Sequence, residues 1–236
     1  MSQSPSRSNQ PPRDPRGNTV STFPGSPRLL KGGIALLDPA SGAVQHILPL
    51  QYNPDTLTRS LKIKGVGAES GDHIEALRLV GPPSETIKVE AELDATDKLE
   101  TGDTQATQTG LHATLAALEM IVYPSSAHLL ANNGKASGGT LEIIPASTAL
   151  TVFIFGPRRI VPVRITEFSV TEEAFDPNLN PLRAKVSLGL TVLTVDDLGF
   201  DQKGGGLFLA YLQAKEQLAA QNQAGSLGTL GIGGIG

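Results

Sequence analysis

Strict alternation over two stretches constrains this chain more than any other feature. Ile87-Lys-Val89-Glu-Ala91-Glu-Leu93-Asp94 places an apolar side chain at every second position with a charged one between, for eight residues. A helix would scatter those side chains around its circumference, whereas a strand sorts them onto two faces, one for a core and one for water. Ala184 to Val192 repeats the pattern over nine residues and then slips phase at Leu193 and Val195. The slip predicts a bulge, or a strand end buried on both faces. Shorter strands are expected at 33–37, 44–51, 57–66, 75–80, 141–144, 150–155 and 161–170. Pro49 and Pro162 assign parts of two of them to edges or bulges.

Two segments have helical period instead. Leu111, Leu115, Leu118 and Val122 follow i, i+4, i+7, i+11 until Pro124, and Leu207, Tyr211, Ala214 and Leu218 repeat the spacing after the breaker Gly204-Gly-Gly206. The body therefore reads as mainly β and antiparallel, with about seven to nine strands, one internal helix and a C-terminal helix.

Glycine and proline, 26 and 17 of 236 residues, sit unevenly. Residues 1–28 hold six Pro, six Ser and four Arg against the single acid Asp14, with little to bury, and are expected to be a disordered tail. The last charged residue is Glu216, and 221–236 is a neutral glycine-rich tail with isolated Leu and Ile. Between the tails, 29–200 is the β domain and 201–220 the helix. No apolar stretch of a secretory leader stands near the start, and no run of 18 apolar residues occurs, so neither a leader nor membrane insertion is expected.

Chemistry finds few candidates. With no Cys there is no disulfide or thiolate site. His46, His73, His112 and His128 lack metal-ligand spacing and read as residues of turns or helix surfaces. Asp94, Asp97, Glu100 and Asp103 cluster without the EF-hand pattern and read as a solvated loop. Glu167, Glu172 and Glu173 have the chemistry of an acid and base pair, but no cleft is indicated. No GxSxG or phosphate loop is present. The net charge of −4 and 4% aromatic content disfavour nucleic-acid binding. No enzyme activity and no cofactor is expected.

Two motifs remain. Leu50-Gln-Tyr52-Asn53-Pro54-Asp-Thr-Leu57 carries an apolar strand into Asn-Pro and restarts as a strand, which reads as a tight reversal, a hairpin. Glu172-Glu-Ala-Phe175-Asp-Pro-Asn-Leu-Asn180-Pro181-Leu-Arg183-Ala184 is a polar loop opening into the second alternating strand.

With the strand ending in Leu93-Asp94 between them, the order resembles the tube-protein domain of contractile injection systems: a strand into Tyr-Asn-Pro, a later strand ending in Leu-Asp, a helix, and a loop with Asn-Pro-x-Arg-Ala before a long strand. The resemblance covers residues 30 to 200. Many members continue into a LysM module, from which this chain departs after Phe200. The resemblance implies a tail-tube-like antiparallel β-barrel or sandwich and a homo-oligomeric ring, commonly a hexamer. It also implies inner tube and baseplate hub or spike proteins as partners, in a particle assembled in the cytoplasm. Tyr52, Asn53 and Pro54 are expected to shape an interface hairpin, and Asn180, Pro181 and Arg183 to set the start of the long strand. Strands 183–195 and 87–94 are the expected edges continuing into neighbours, and the row Lys88, Glu90, Glu92 and Asp94 has the polarity of a channel lining. The alternative from another class is a soluble β-barrel module binding a small ligand or peptide.

Overall fold

The computed structural model describes residues 30–65, 78–137, 148–222 and 225–235. The tail 1–28, the strand expected at 141–144 and the first half of that at 75–80 lie outside the described residues. The unit described begins at Lys31.

Among the described residues seven strands form one mainly β body: β1 (Gly33–Leu37), β2 (Val44–Pro49), β3 (Leu57–Lys62), β4 (Ser84–Asp94), β5 (Leu150–Ile154), β6 (Ile160–Phe175) and β7 (Pro181–Val192). Their order in the sheet is β2-β1-β5-β6-β7-β4-β3, and every neighbouring pair is antiparallel. Among the described residues the sheet is open, because β2 and β3 each pair with one strand only.

The two alternating stretches are β4 and β7, paired in register from Thr86↔Thr191 to Asp94↔Arg183. They are interior strands, not edges: β7 also pairs with β6, and β4 with β3. Their apolar faces fill the core, where Ile87, Val186 and Leu190 are fully buried. A central position rewards regular alternation, since both neighbours and the layer beneath must be matched at once. The phase slip after Val192 has a different cause from the one expected. The strand stops there, and Thr194 caps a short helix, α5 (Val195–Leu198), through a reciprocal capping box with Asp197. The bulge lies on the partner strand, between Ile165 and Glu167 of β6.

Where one internal helix was expected, the described residues between β4 and β5 make four: α1 (Thr96–Glu100), α2 (Thr104–Thr109), α3 (His112–Glu119) and α4 (Ser126–Ser137). Asp103 caps α2 by accepting from the Ala106 amide at 2.8 Å, so part of the acidic loop is helical and one of its carboxylates is a cap. Leu111, Leu115 and Leu118 are buried as their spacing requires, but Val122 lies beyond the end of α3 and is exposed. The C-terminal helix is α6 (Lys203–Ala220). Its triple glycine opens the helix instead of breaking it, with Gly204 and Gly205 buried against Leu198 and Gly199. Its inner face is Gly204, Phe208, Tyr211 and Lys215; of the stripe expected, Tyr211 is buried, Leu207 and Ala214 half-buried and Leu218 exposed. Lys215 belongs on that face because Glu85, on the core side of β4, receives it.

The sheet is strongly curled. In a flat sheet five strand spacings of about 4.8 Å, roughly 24 Å, would part β2 from β4. Yet Gln51, two residues past β2, hydrogen bonds to the backbone of Asp94 at the end of β4. One buried cluster accordingly takes Ile34 from β1 and Phe153 from β5 together with Val89 from β4 and Leu188 from β7. No helix among the described residues is long and apolar enough to cross a membrane.

Candidate assembly interface

The Tyr52-Asn53-Pro54 motif does not close a hairpin. It lies on a connection running from one edge of the sheet, β2, to the other, β3. Its polar side chains stitch the curl shut. The Gln51 amide donates to the Asp94 carbonyl at 2.7 Å and accepts from the Asp94 N–H at 3.0 Å, so one side chain imitates a strand partner. Asn53 Oδ1 accepts from the Gly32 N–H at 2.8 Å, and the Leu50 N–H donates to the Gly32 carbonyl at 2.8 Å. Leu50 is buried and Pro54 half-buried, while Tyr52 projects outward.

The second motif is the turn between β6 and β7. Asp176 organises it, accepting from the backbone N–H of Asn178 and Asn180 at 2.7 and 2.9 Å and from Asn180 Nδ2 at 2.8 Å. The Asn180 side-chain and backbone bonds hold the Asp176 carboxyl below the ordinary aspartate range. Asn180 Nδ2 also reaches the Gln108 carbonyl at 3.3 Å, and the buried Pro181 accepts from the Leu111 N–H at 2.9 Å, which ties the start of β7 to the junction of α2 and α3. A Cβ on Gly110, which has φ 54°, would stand 2.5 Å from the Pro181 carbonyl oxygen, so that junction requires glycine. Two non-glycine residues here have positive φ, Ala174 near the end of β6 at 53° and Leu179 in the turn at 64°. Such backbone costs about 1 kcal/mol or more per residue.

The structure brings the outer halves of the motifs together. Tyr52 and Arg183 line one open depression of about 370 Å³ with Glu92, Asp94, Glu173 and Lys185. Arg183 Nε meets Asp94 Oδ2 at 3.2 Å, and Lys185 Nζ lies 3.6 Å from Glu173. The side-chain and backbone hydrogen bonds of Thr96, with help from Arg183, lower the Asp94 carboxyl pKa. Tyr52, in this depression, is exposed at 45%, and Phe175 at the end of β6 and Leu179 in the turn after it at 50% and 75%. Asn53, Pro54, Asn180 and Pro181 are not in the depression; they hold the backbone on either side of it.

The charged row of β4 continues this surface. Lys88, Glu90 and Glu92 are exposed and Asp94 half-buried, facing Gly189, Ser187, Lys185 and Arg183 on β7. Lys88 reaches Glu167 on β6 at 3.2 Å across Gly189, where an added Cβ would meet Glu167 Cβ at 2.8 Å. A missing side chain on the middle strand thus lets charges two strands apart pair.

Sequence reasoning missed Glu85, which continues the buried side of β4 and is 3% exposed. It accepts from Arg59 Nε at 2.7 Å, Lys215 Nζ at 2.8 Å and the Tyr211 hydroxyl at 2.9 Å. Desolvation pushes its pKa up, but hydrogen bonds from Lys215, Arg59 and Tyr211 and the Lys215 charge outweigh that, and the carboxyl is held below the ordinary glutamate value. This node fastens α6 to β3 and β4. Its one signal was parity, since residue 85 falls two positions before Ile87. Among the described residues no three His, Asp or Glu side chains converge as metal ligands would. Compared with protein-family models and with curated proteins, the chain matches none.

Proposed function

We propose that this chain is a structural ring subunit of a contractile injection particle, joining the inner tube to the baseplate hub or spike. The observation that carries the reading is the convergence of the two motifs. Tyr52 and Arg183, from segments 131 residues apart, line one charged depression, and the end of β6 and the turn that leads to Arg183 expose Phe175 and Leu179. Tyrosine and arginine are the side chains most often responsible for affinity at protein interfaces, and a strained turn carrying an exposed leucine is a cost that a contact offsets.

The open curled sheet supports the same reading. β2 and β3 present unpaired backbone on opposite edges, and a tail-tube-like barrel or sandwich is completed between neighbours when the edge of one subunit continues into the next. Six such subunits make the ring, and the polar face of β4, β7 and β6 lines its channel. The work is mechanical, transmission of thrust from tube to spike, with no catalysis and no cofactor. Native mass spectrometry of the purified chain, alone and with tube and hub proteins, tests this. A closed ring or a co-complex is expected, and a chain that stays monomeric in every mixture refutes it.

A further inference from the structure

We propose that Glu85 is an acid-sensitive latch for α6: with its carboxylate charged the helix sits on the sheet, and with it neutral α6 lifts and melts as one unit while the strands stay paired. The inference does not depend on the ring reading. α6 has little of its own to keep it helical. Three glycines fill its first turn, Gln202 at its N-cap makes no side-chain hydrogen bond, and no acid stands in that turn to meet the helix dipole. Docking must supply the difference, since most helical stability in proteins comes from the packing of one face.

That packing is confined to one half of the helix. Of its 18 residues, those buried are Gly204, Gly205, Phe208 and Tyr211, all in the first half. Farther on, Lys215 Nζ donates to Glu85 Oε2 at 2.8 Å, beside the Tyr211 hydroxyl donating to Oε1 at 2.9 Å, and residues 216–220 are exposed. Lys215 Nζ also stands 4.1 Å from the centre of the Tyr211 ring, so the two attachments share one seat. The sheet does not need the helix for its own pairing, because each strand pairs with other strands among β1 to β7.

Charge decides which attachment fails first. The groups bonded to Glu85 are Arg59 from β3 and Tyr211 and Lys215 from α6. Other charges on the surrounding elements are engaged elsewhere: Lys203 of α6 lies over Gly42, Asp196 of α5 meets Lys64 at 3.4 Å, and Asp197 accepts from the Thr194 N–H at 2.9 Å. Glu216 of α6 and Lys62 of β3 are exposed. Neutralising Glu85 therefore leaves two cations with no carboxylate between them. Arg59 is held within β3, whereas Lys215 rides on the half of α6 in which no residue is buried. Burial raises the Glu85 pKa, but hydrogen bonds from Lys215, Arg59 and Tyr211 outweigh it and hold the carboxyl below the ordinary glutamate value. The latch is thus closed at neutral pH and opens below about pH 4.3, as pH falls through the folded value.

Hydrogen exchange of the full chain, read by mass spectrometry, tests the latch. In Glu85→Gln at pH 7, peptides from 207–215 are expected to exchange at least about tenfold faster than in wild type, while peptides from 184–192 of β7 stay within about twofold. Adding Lys215→Met keeps the apolar stem and removes the charge, and is expected to recover at least about threefold of that protection. In wild type taken from pH 6 to pH 3, with rates corrected for the intrinsic effect of pH, α6 is expected to lose protection at a higher pH than β7. Equal acceleration of α6 and β7, an unchanged α6, or no recovery with Lys215→Met each overturns the inference. Should Glu85→Gln fail to fold, the wild-type titration decides: α6 opening first supports the latch, and loss together with β7 or no opening of α6 down to pH 3 overturns it.

Discussion

Glu85 sets the interior charge balance, because two cations and a phenol converge on its one buried carboxylate. Removing one member of a buried ionic group costs about 3 kcal/mol, since its partners stay behind in part-buried positions. Glu85→Ala is accordingly expected to lower the unfolding free energy by about 3 kcal/mol in urea titrations at pH 7. The pH dependence follows from the lowered folded pKa. The stabilisation is complete above the unfolded glutamate pKa of about 4.3 and is lost as pH falls below that, through the folded value. Wild type and Glu85→Gln should thus converge in stability under acid, and a gap unchanged down to pH 3 would contradict the assignment. Leu179 carries the opposite expectation. Its φ of 64° and 75% exposure both cost free energy in the isolated subunit. Leu179→Gly should raise stability by up to about 1 kcal/mol while weakening association several-fold, read by thermal melts and by sedimentation.

The connection 50–56 shows at the element scale how a few polar side chains hold a curled sheet. Gln51 supplies both a donor and an acceptor to Asp94, and buried-side hydrogen bonds contribute about 1 kcal/mol each. Gln51→Ala is expected to cost about 2 kcal/mol and to speed hydrogen exchange at the Asp94 amide, with amides in the middle of β7 unaffected. The strands themselves were largely legible. Alternation located β4 and β7 because burial of one face is written residue by residue. The Tyr52-Asn53-Pro54 segment was legible as a turn but not as an edge-to-edge crossover, since Asn-Pro chemistry specifies a local change of direction and nothing about which strands flank it. The stripe from Leu111 located α3, whereas α1 and α2 fall where a solvated acidic loop was expected, because the Asp103 cap and the Gly110 junction act through hydrogen bonds and φ and leave no apolar period.

Assembly is decided at the scale of the whole molecule, by surfaces that the fold gathers. Tyr52→Ala and Arg183→Ala alter exposed side chains, so each should shift unfolding free energy by less than about 1 kcal/mol. Under the proposed interface each weakens association at least tenfold in concentration-dependent mass measurements. Variants that assemble like wild type would move the interface elsewhere, to the free edges of β2 and β3. Among the described residues those edges, and not β4 and β7, are where a strand pairs on one side only.

Local periodicity alone determined that this chain makes β-strands with one buried face, where two of them lie, which residues line the core between them and that a helix follows near residue 203. Each of those follows from the spacing of side chains along a single segment. Only the tertiary structure decided that the strongest strands are central, that the sheet curls until Gln51 reaches Asp94, that Glu85 is buried with Arg59 and Lys215, and that Tyr52 and Arg183 line one depression. These arrangements bring together residues 26 to 131 positions apart. Strand order and curl select them, and neither is encoded in the period of any one segment.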